Sequence, residues 1–352
     1  MKSKSKFDGK RKYEVEENLT SITDIIGKRN LLVCGGCSEG SVAHAAKFQP
    51  RKTDVYILTA PKTGTTWLQQ ICHQLRTGGH MEFEDVYQVS PWAELAWDLG
   101  MDLEAEHVAN PRVFKTHQRL SAINTGAKYI VTMRDPEKTV ISWFKFLQEK
   151  GHSAVKTHSS PSEIVFDKNV FAENMLFGAS IWEYYLEFWK CRNLPNVLIV
   201  VFEDLQKSIR SQLPRIAEFM GVECTSDLLD KVETLSTASC MMAHEEKFDE
   251  TWTFAQLQKV GRAAPEDVAG FTPASRVTKG HTEPLNTKAK KFLNEINIAG
   301  KSDILDAKEN GKALGGCGNE NAHGDWPGTK EDAGAWPDTA EEAGAPGTEG
   351  NK

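Results

Sequence analysis

No apolar run in this 352-residue chain approaches the roughly 20 residues of a bilayer span, so no membrane-spanning helix is expected. The amino terminus, MKSKSKFDGKRKYEVEENL, is basic but lacks the apolar segment of a signal peptide, which points to a cytoplasmic protein. Cysteine is scarce: the 7 thiols are odd in number and irregularly spaced apart from Cys34 and Cys37. That pattern excludes a disulfide framework and predicts reduced thiols. Cys34-Gly-Gly-Cys37 has neither a second cysteine pair nor a His-x-His partner, so it reads as a loop with two thiols and no metal is expected. Net charge is small as well. The formal value is 42 − 49 = −7, and the 11 acidic and 4 basic residues from Asp303 to Lys352 account for all of it. Residues 1–302 are therefore neutral overall, without the broad basic face that would track nucleic acid. An anion bound by such a body must be held by a few placed residues.

What is present is an alternation of short β-branched runs and longer amphipathic stretches from Thr53 onward, the pattern of βα units around a parallel sheet. The runs are 54–59, 112–116, 129–133 and 197–202, and helices are predicted at 66–76, 136–149, 170–191 and 208–220 from apolar positions three and four apart. The expected fold class is α/β, a three-layer parallel sheet flanked by helices. Residues 1–50 show no sustained period and read as an extension, and 51–300 form the catalytic unit. Residues 301–352 form an acidic Gly/Ala/Pro-rich tail in which Trp326-Pro-Gly-Thr-Lys-Glu-Asp-Ala-Gly-Ala is followed by Trp336-Pro-Asp-Thr-Ala-Glu-Glu-Ala-Gly-Ala. Units this poor in aliphatics cannot build a core, and disorder is expected there.

The most informative segment is Ala60-Pro-Lys-Thr-Gly-Thr-Thr-Trp67, between the first strand and first helix. A loop there offers free NH groups at a helix amino terminus, where the helix dipole also favours an anion. Gly64 permits close approach of backbone to phosphate, and Thr65 and Thr66 add hydroxyls. The order differs from a Walker A loop, because Lys62 precedes the glycine and no Gly-Lys-Thr follows. No aspartate suits a magnesium-holding role, so a metal-free anion site fits better.

A second candidate follows the third strand in Met133-Arg-Asp-Pro-Glu-Lys-Thr-Val-Ile-Ser142. Asp135 suits the cap and Pro136 the first turn, which leaves Arg134 at the strand end. Two helical turns later Ser142 returns to the face of Asp135. The second strand ends in Lys115-Thr-His117, and a histidine with its near-neutral pKa is equipped to take a proton from a hydroxyl or amine. In a doubly wound sheet all these strand ends open into one crevice. A P-loop kinase and a non-catalytic nucleotide-binding relative stand as rivals; the first needs magnesium, and the second would lack the base or the lysine.

These motifs together resemble the cytosolic-type sulfotransferase family, over a span of about Asp54 to Phe292. Pro61-Lys-Thr-Gly-Thr-Thr-Trp67 is similar to that family's 5′-phosphosulfate loop, Lys115-Thr-His117 to its catalytic strand end, and Arg134 with Ser142 to its 3′-phosphate site. The resemblance implies 3′-phosphoadenosine 5′-phosphosulfate as donor, adenosine 3′,5′-bisphosphate as product and no metal. It implies that Lys62, Thr63, Gly64, Thr65 and Thr66 hold the phosphosulfate and that Trp67 stacks on adenine. His117 would be the base and Lys115 would steady the sulfonate. Ser236-Thr-Ala-Ser-Cys-Met241 is similar to the family's adenine contact, and Lys279-Gly280 to its late loop. Three departures stand out: Thr278 where an arginine is expected, Ala238 for an aromatic, and Phe202 for a tyrosine, still counted with the donor site. Arg276 is the candidate substitute at the 3′-phosphate. The late Gly-Asp-Trp is missing after Lys279-Gly280, and Gly324-Asp-Trp326 lies in the tail. The family's dimer pattern is not apparent, leaving monomer or homodimer open. A small-molecule acceptor is expected, and the aromatics of 80–92 are candidates either to line its pocket or to belong to the core.

Overall fold

The computed structural model describes residues 37–149, 168–172, 180–261, 275–277 and 283–293. Cys34, Lys279, Gly280 and the Trp-Pro repeats lie outside them. Four parallel strands, β1 (Val55–Thr59), β2 (Val113–Thr116), β3 (Lys128–Met133) and β4 (Val197–Val201), form one sheet in the order β2-β1-β3-β4. Val55 pairs with Val113 on one side and Lys128 on the other, so β1 is central and the chain reverses its direction of travel across it. That is the switch point at which a doubly wound sheet opens a crevice at its carboxyl edge.

Alternation along the strands builds two cores. Tyr56, Leu58, Phe114, Tyr129 and Val131 face one, while Val55, Ile57, Val113, Ile130 and Val200 face the other. The first is covered by α5 (Pro136–Glu149) and α7 (Ser180–Lys190), the second by α2 (Thr65–Thr77), α9 (Ile209–Met220) and α10 (Ser226–Leu235). The three-layer expectation is met. At the amino ends of the strands, buried Arg112 grips Asp54 with Nε at 2.9 Å and Nη2 at 2.6 Å, and its Nη1 serves the carbonyls of Leu103, Glu104 and Ala105. This fastens β1 to β2 at the end opposite the crevice.

Two predicted boundaries change. Of the helix expected at 170–191, α6 (Lys168–Ala172) and α7 are described, with 173–179 outside the described residues, and Phe202 opens α8 (Phe202–Lys207) rather than closing a strand. The 1–50 segment, read as aperiodic, contains α1 (Glu39–Ala45), started by Ser38, whose hydroxyl accepts from the Ser41 amide and donates to Asp98. The shorter connecting helices are α3 (Val86–Val89), α4 (Ala93–Ala96), α11 (Ala238–Ala243) and α12 (Thr251–Lys259). Cys37, Cys72, Cys191, Cys224 and Cys240 are free thiols. No helix among the described residues is long and apolar enough to cross a membrane.

Candidate active site

The loop between β1 and α2 is shaped by two residues in the left-handed region, Lys62 at φ 66° and Gly64 at φ 103°. Such a conformation in a lysine costs energy and is held only where its surroundings over-determine it. The surroundings do so here through buried hydroxyls. Thr63 Oγ1 donates to the Ala60 carbonyl at 2.7 Å and accepts from Thr132 on β3 at 2.6 Å. Thr59 and Thr65 pair through their hydroxyls at 2.6 Å. The Thr65 hydroxyl, expected to face the anion, is paired with Thr59 at the start of α2; where Thr59 is the donor of that pair, the Thr65 proton is left for an anion, beside the Thr65 amide. No side chain caps the 13-residue α2, so its terminal NH groups face the crevice, as anion binding requires.

Any side chain at Gly64 must displace its neighbour. A Cβ would come within 2.8 Å of Phe202 Cδ2. The Phe202 ring joins three expected site residues: Arg134 lies 4.1 Å above it, Trp67 meets it edge-on at 5.5 Å, and the Trp67 indole donates to the Ser236 carbonyl at 2.7 Å. Trp67, Phe202, Arg134 and Ser236, up to 169 residues apart, therefore form one wall. It contains two buried polar atoms with no hydrogen-bond partner, Arg134 Nε and Ser236 Oγ. Buried groups of this kind are costly unless something satisfies them.

Arg134 links the two anion sites. Its Nη1 donates to the Lys62 carbonyl at 2.7 Å, and its own amide and carbonyl are clasped by the Tyr185 hydroxyl at 2.9 and 2.7 Å. Burial lowers its pKa, against the opposing pull of Glu203, Tyr185 and Asp135. Asp135 accepts from the Lys138 amide at 2.8 Å, the cap expected for α5. On α5 the half-buried Ser142 precedes Phe146 by four residues, and the Phe146 ring sits 4.2 Å from Lys62 Nζ. Residues four apart share a helix face, so Ser142 lies on the face turned toward the loop.

The base candidate is fixed by the same strand. His117 Nδ1 is 2.8 Å from the Thr59 carbonyl, which only accepts, so Nδ1 bears the proton and Nε2 is left with its lone pair. Burial pushes the His117 pKa well below 6.5; Lys115 and Lys62 push it the same way, and the bond to Thr59 opposes them. The imidazole is therefore neutral and basic at Nε2 near pH 7. Thr59 thus holds the histidine through its carbonyl and the first turn of α2 through its hydroxyl.

Several contributors were not legible in the motifs. Glu94, fully buried on α4, accepts from the Thr116 hydroxyl and the Trp92 indole. Burial raises its pKa, while those bonds and the His117 amide oppose the rise. Tyr184 donates to the His117 carbonyl. Lys115 donates to the Tyr87 hydroxyl at 2.7 Å and lies 3.9 Å from the Trp92 ring, whose edge also meets His117 at 5.3 Å. Of the 80–92 aromatics, Tyr87 and Trp92 thus flank the carboxyl end of β2, whereas Phe83 packs on Phe248.

Arg276, the candidate substitute at the 3′-phosphate, has a partner of its own. Its guanidinium is committed to buried Asp85 at 3.1 and 3.2 Å and lies 4.1 Å over the Tyr87 ring. An unpaired aspartate buried at the start of α3 would be costly, and Arg276 supplies its countercharge. Through the Tyr87 ring it shares a neighbour with Lys115, whose Nζ donates to the Tyr87 hydroxyl.

Residues 52–257, more than half of the chain, match the sulfotransferase domain family. The chain is 27% identical over 202 residues to human sulfotransferase 4A1, a stretch covering 54% of this chain and 68% of that protein. It is 29% identical over 196 residues to the amine sulfotransferase of Oryctolagus cuniculus, 54% of this chain and 63% of that one. Among solved structures, mouse sulfotransferase SULT7A1 complexed with PAP superposes with a TM-score of 0.51 at 17% identity, over 78% of this chain and 93% of that one, which speaks for the fold.

Proposed function

Since this chain belongs to the sulfotransferase family, we propose that it moves a sulfonate from 3′-phosphoadenosine 5′-phosphosulfate to a hydroxyl or amine of a small molecule in the cytoplasm. The observation that carries the reading is Thr59, which ties the base to the anion-binding helix start: its carbonyl holds His117 and its hydroxyl holds Thr65. A proton acceptor and an anion cradle are thereby fixed side by side.

The donor, when bound, supplies the sulfonate and a good leaving phosphate. The wall of Trp67, Phe202 and Ser236 would take its base, with Ser236 Oγ available for a hydrogen bond. Arg134, through its unpartnered Nε, and Ser142 would hold the 3′-phosphate, and the α2 amides with Lys62 the 5′-phosphosulfate. His117 takes the acceptor's proton at Nε2, and the Thr59 carbonyl then stabilises the charged imidazole through Nδ1–H. Lys115, held beside it, faces the charge that develops during transfer. Such chemistry is positioning and electrostatics, as in phosphoryl transfer.

The test separates the two strand ends. Arg134→Ala should raise the donor KM about tenfold or more, a charge-assisted hydrogen bond being worth about 1.5 to 3 kcal/mol. His117→Ala should lower kcat by about 10² to 10⁴ and leave calorimetric binding of adenosine 3′,5′-bisphosphate near wild type. Labelled donor against phenols, steroids, alcohols and amines identifies the acceptor. The reverse ranking of the two variants, or turnover abolished by a chelator, would refute the assignment.

A further inference from the structure

Resting on that reading, we propose that Arg276 is a positioning residue for the transfer step: paired with Asp85, it clamps the Tyr87 ring, and Tyr87 in turn fixes Lys115 beside His117.

Every link has a contact in the structure. Lys115 is 4% exposed, and its Nζ donates to the Tyr87 hydroxyl at 2.7 Å, with the Tyr87 and Trp92 rings at 4.7 and 3.9 Å. A lysine has a flexible stem, so buried rings and a hydroxyl that together surround its ammonium decide where the charge stands. The Tyr87 ring must therefore be immobile itself. Its backbone is held by Asp85, which accepts from the Tyr87 amide at 2.7 Å, and its face is covered by the Arg276 guanidinium at 4.1 Å. Arg276 is pinned in turn by both Asp85 oxygens, by Thr253 at 3.3 Å and through its amide to the Phe248 carbonyl at 3.1 Å. One carboxylate thus orients both the ring and the cation that presses on it.

The arrangement does more than neutralise Asp85. A plain countercharge needs no stacking on the ring whose hydroxyl receives the catalytic lysine.

The experiment has an arm that needs no acceptor. Competitive acetylation of the full-length chain with acetic anhydride, read by mass spectrometry, reports the reactivity of each lysine. Arg276→Gln and Tyr87→Phe should each raise Lys115 labelling about tenfold. Lys128, whose Nζ donates to the Phe219 carbonyl, should be unchanged in both. In turnover, with the best acceptor from the panel above, Arg276→Gln should lower kcat by about 10 to 10², the scale of a catalytic group displaced by about 1 Å. Calorimetric affinity for adenosine 3′,5′-bisphosphate should stay within about threefold of wild type. In a Lys115→Met background neither substitution should lower kcat further, because both act through that lysine. If Arg276→Gln melts early for want of a countercharge, the paired change Asp85→Asn with Arg276→Gln removes both charges and should still free Lys115. Unchanged labelling would overturn the proposal, as would a further fall of kcat in the Lys115→Met background. Tenfold weaker bisphosphate binding at full kcat would make Arg276 a phosphate ligand instead. A chain that never turns over but labels as expected would sink the proposed function and leave the clamp standing.

Discussion

Replacing Gly64 by alanine probes the donor wall with one methyl group. The backbone there is at φ 103°, outside the range that L residues adopt readily, and the added Cβ would stand 2.8 Å from Phe202 Cδ2 and 3.2 Å from Cε2. The backbone part costs about 1 to 2 kcal/mol, the usual penalty of a left-handed conformation for a residue with a Cβ. The steric part adds about 1 to 3 kcal/mol, the usual cost of overpacking. Phe202 has no easy retreat, since Arg134 lies on its face and Trp67 against its edge. The strain therefore passes to the residues assigned to the donor. Calorimetry should show adenosine 3′,5′-bisphosphate binding weakened by about 10- to 100-fold, equivalent to about 1.4 to 2.7 kcal/mol. Adding Phe202→Leu should return the steric part but not the backbone part, so the double variant should lose at least about 1 kcal/mol less than the two singles summed. Wild-type affinity in Gly64→Ala would mean that the Phe202 wall takes no part in binding the donor.

Two further outcomes concern stability. The Nδ1 atoms of His73 and His107 both face Arg76 guanidinium nitrogens, at 3.3 and 3.2 Å, so they must be lone pairs. Burial first, then Arg76, lowers both pKa values from 6.5 to about 3. The unfolded chain then binds more protons between pH 6.5 and 3, and stability held above pH 6.5 is lost as pH falls through that window, by about 2 kcal/mol per histidine at pH 5. Urea melts at pH 7 and pH 5 should show it, and His73→Gln should flatten the dependence. Arg112→Met should cost about 3 to 5 kcal/mol in urea unfolding because Asp54 stays buried without its partner. Adding Asp54→Asn should recover most of that loss, and failure to recover would mean that the carbonyl bonds of Arg112 dominate.

What the sequence made legible is what is contiguous in it. Val55–Thr59 and Val113–Thr116 fall within a residue of their predicted ranges, the first because a buried parallel strand leaves a near-continuous apolar run, the second although Lys115 interrupts it. The loop and Pro136–Glu149 are legible for a similar reason, since a glycine, a capping aspartate and a first-turn proline act on their own neighbours. α1 escaped notice because seven residues hold too few turns to show a period. Contacts across the chain were harder to read. Glu94 meets Thr116 from 22 positions away, and no local pattern distinguishes it from an exposed glutamate.

Arg276 shows what contiguity leaves out. Its place beside Thr278 and Lys279 suggested a phosphate ligand, because the expected arginine was missing nearby and a positive charge stood close in sequence. The deciding fact lay 191 residues away, in Asp85. A carboxylate withdrawn from water needs a cation with the geometry to satisfy both oxygens, and a guanidinium meets that need better than an ammonium. Once Asp85 is buried at the start of α3, Arg276 is drawn to it, and Tyr87, two residues further on, comes to lie beneath the guanidinium. A change at Asp85 should therefore be felt at Lys115, although neither residue touches the other in any contact described above.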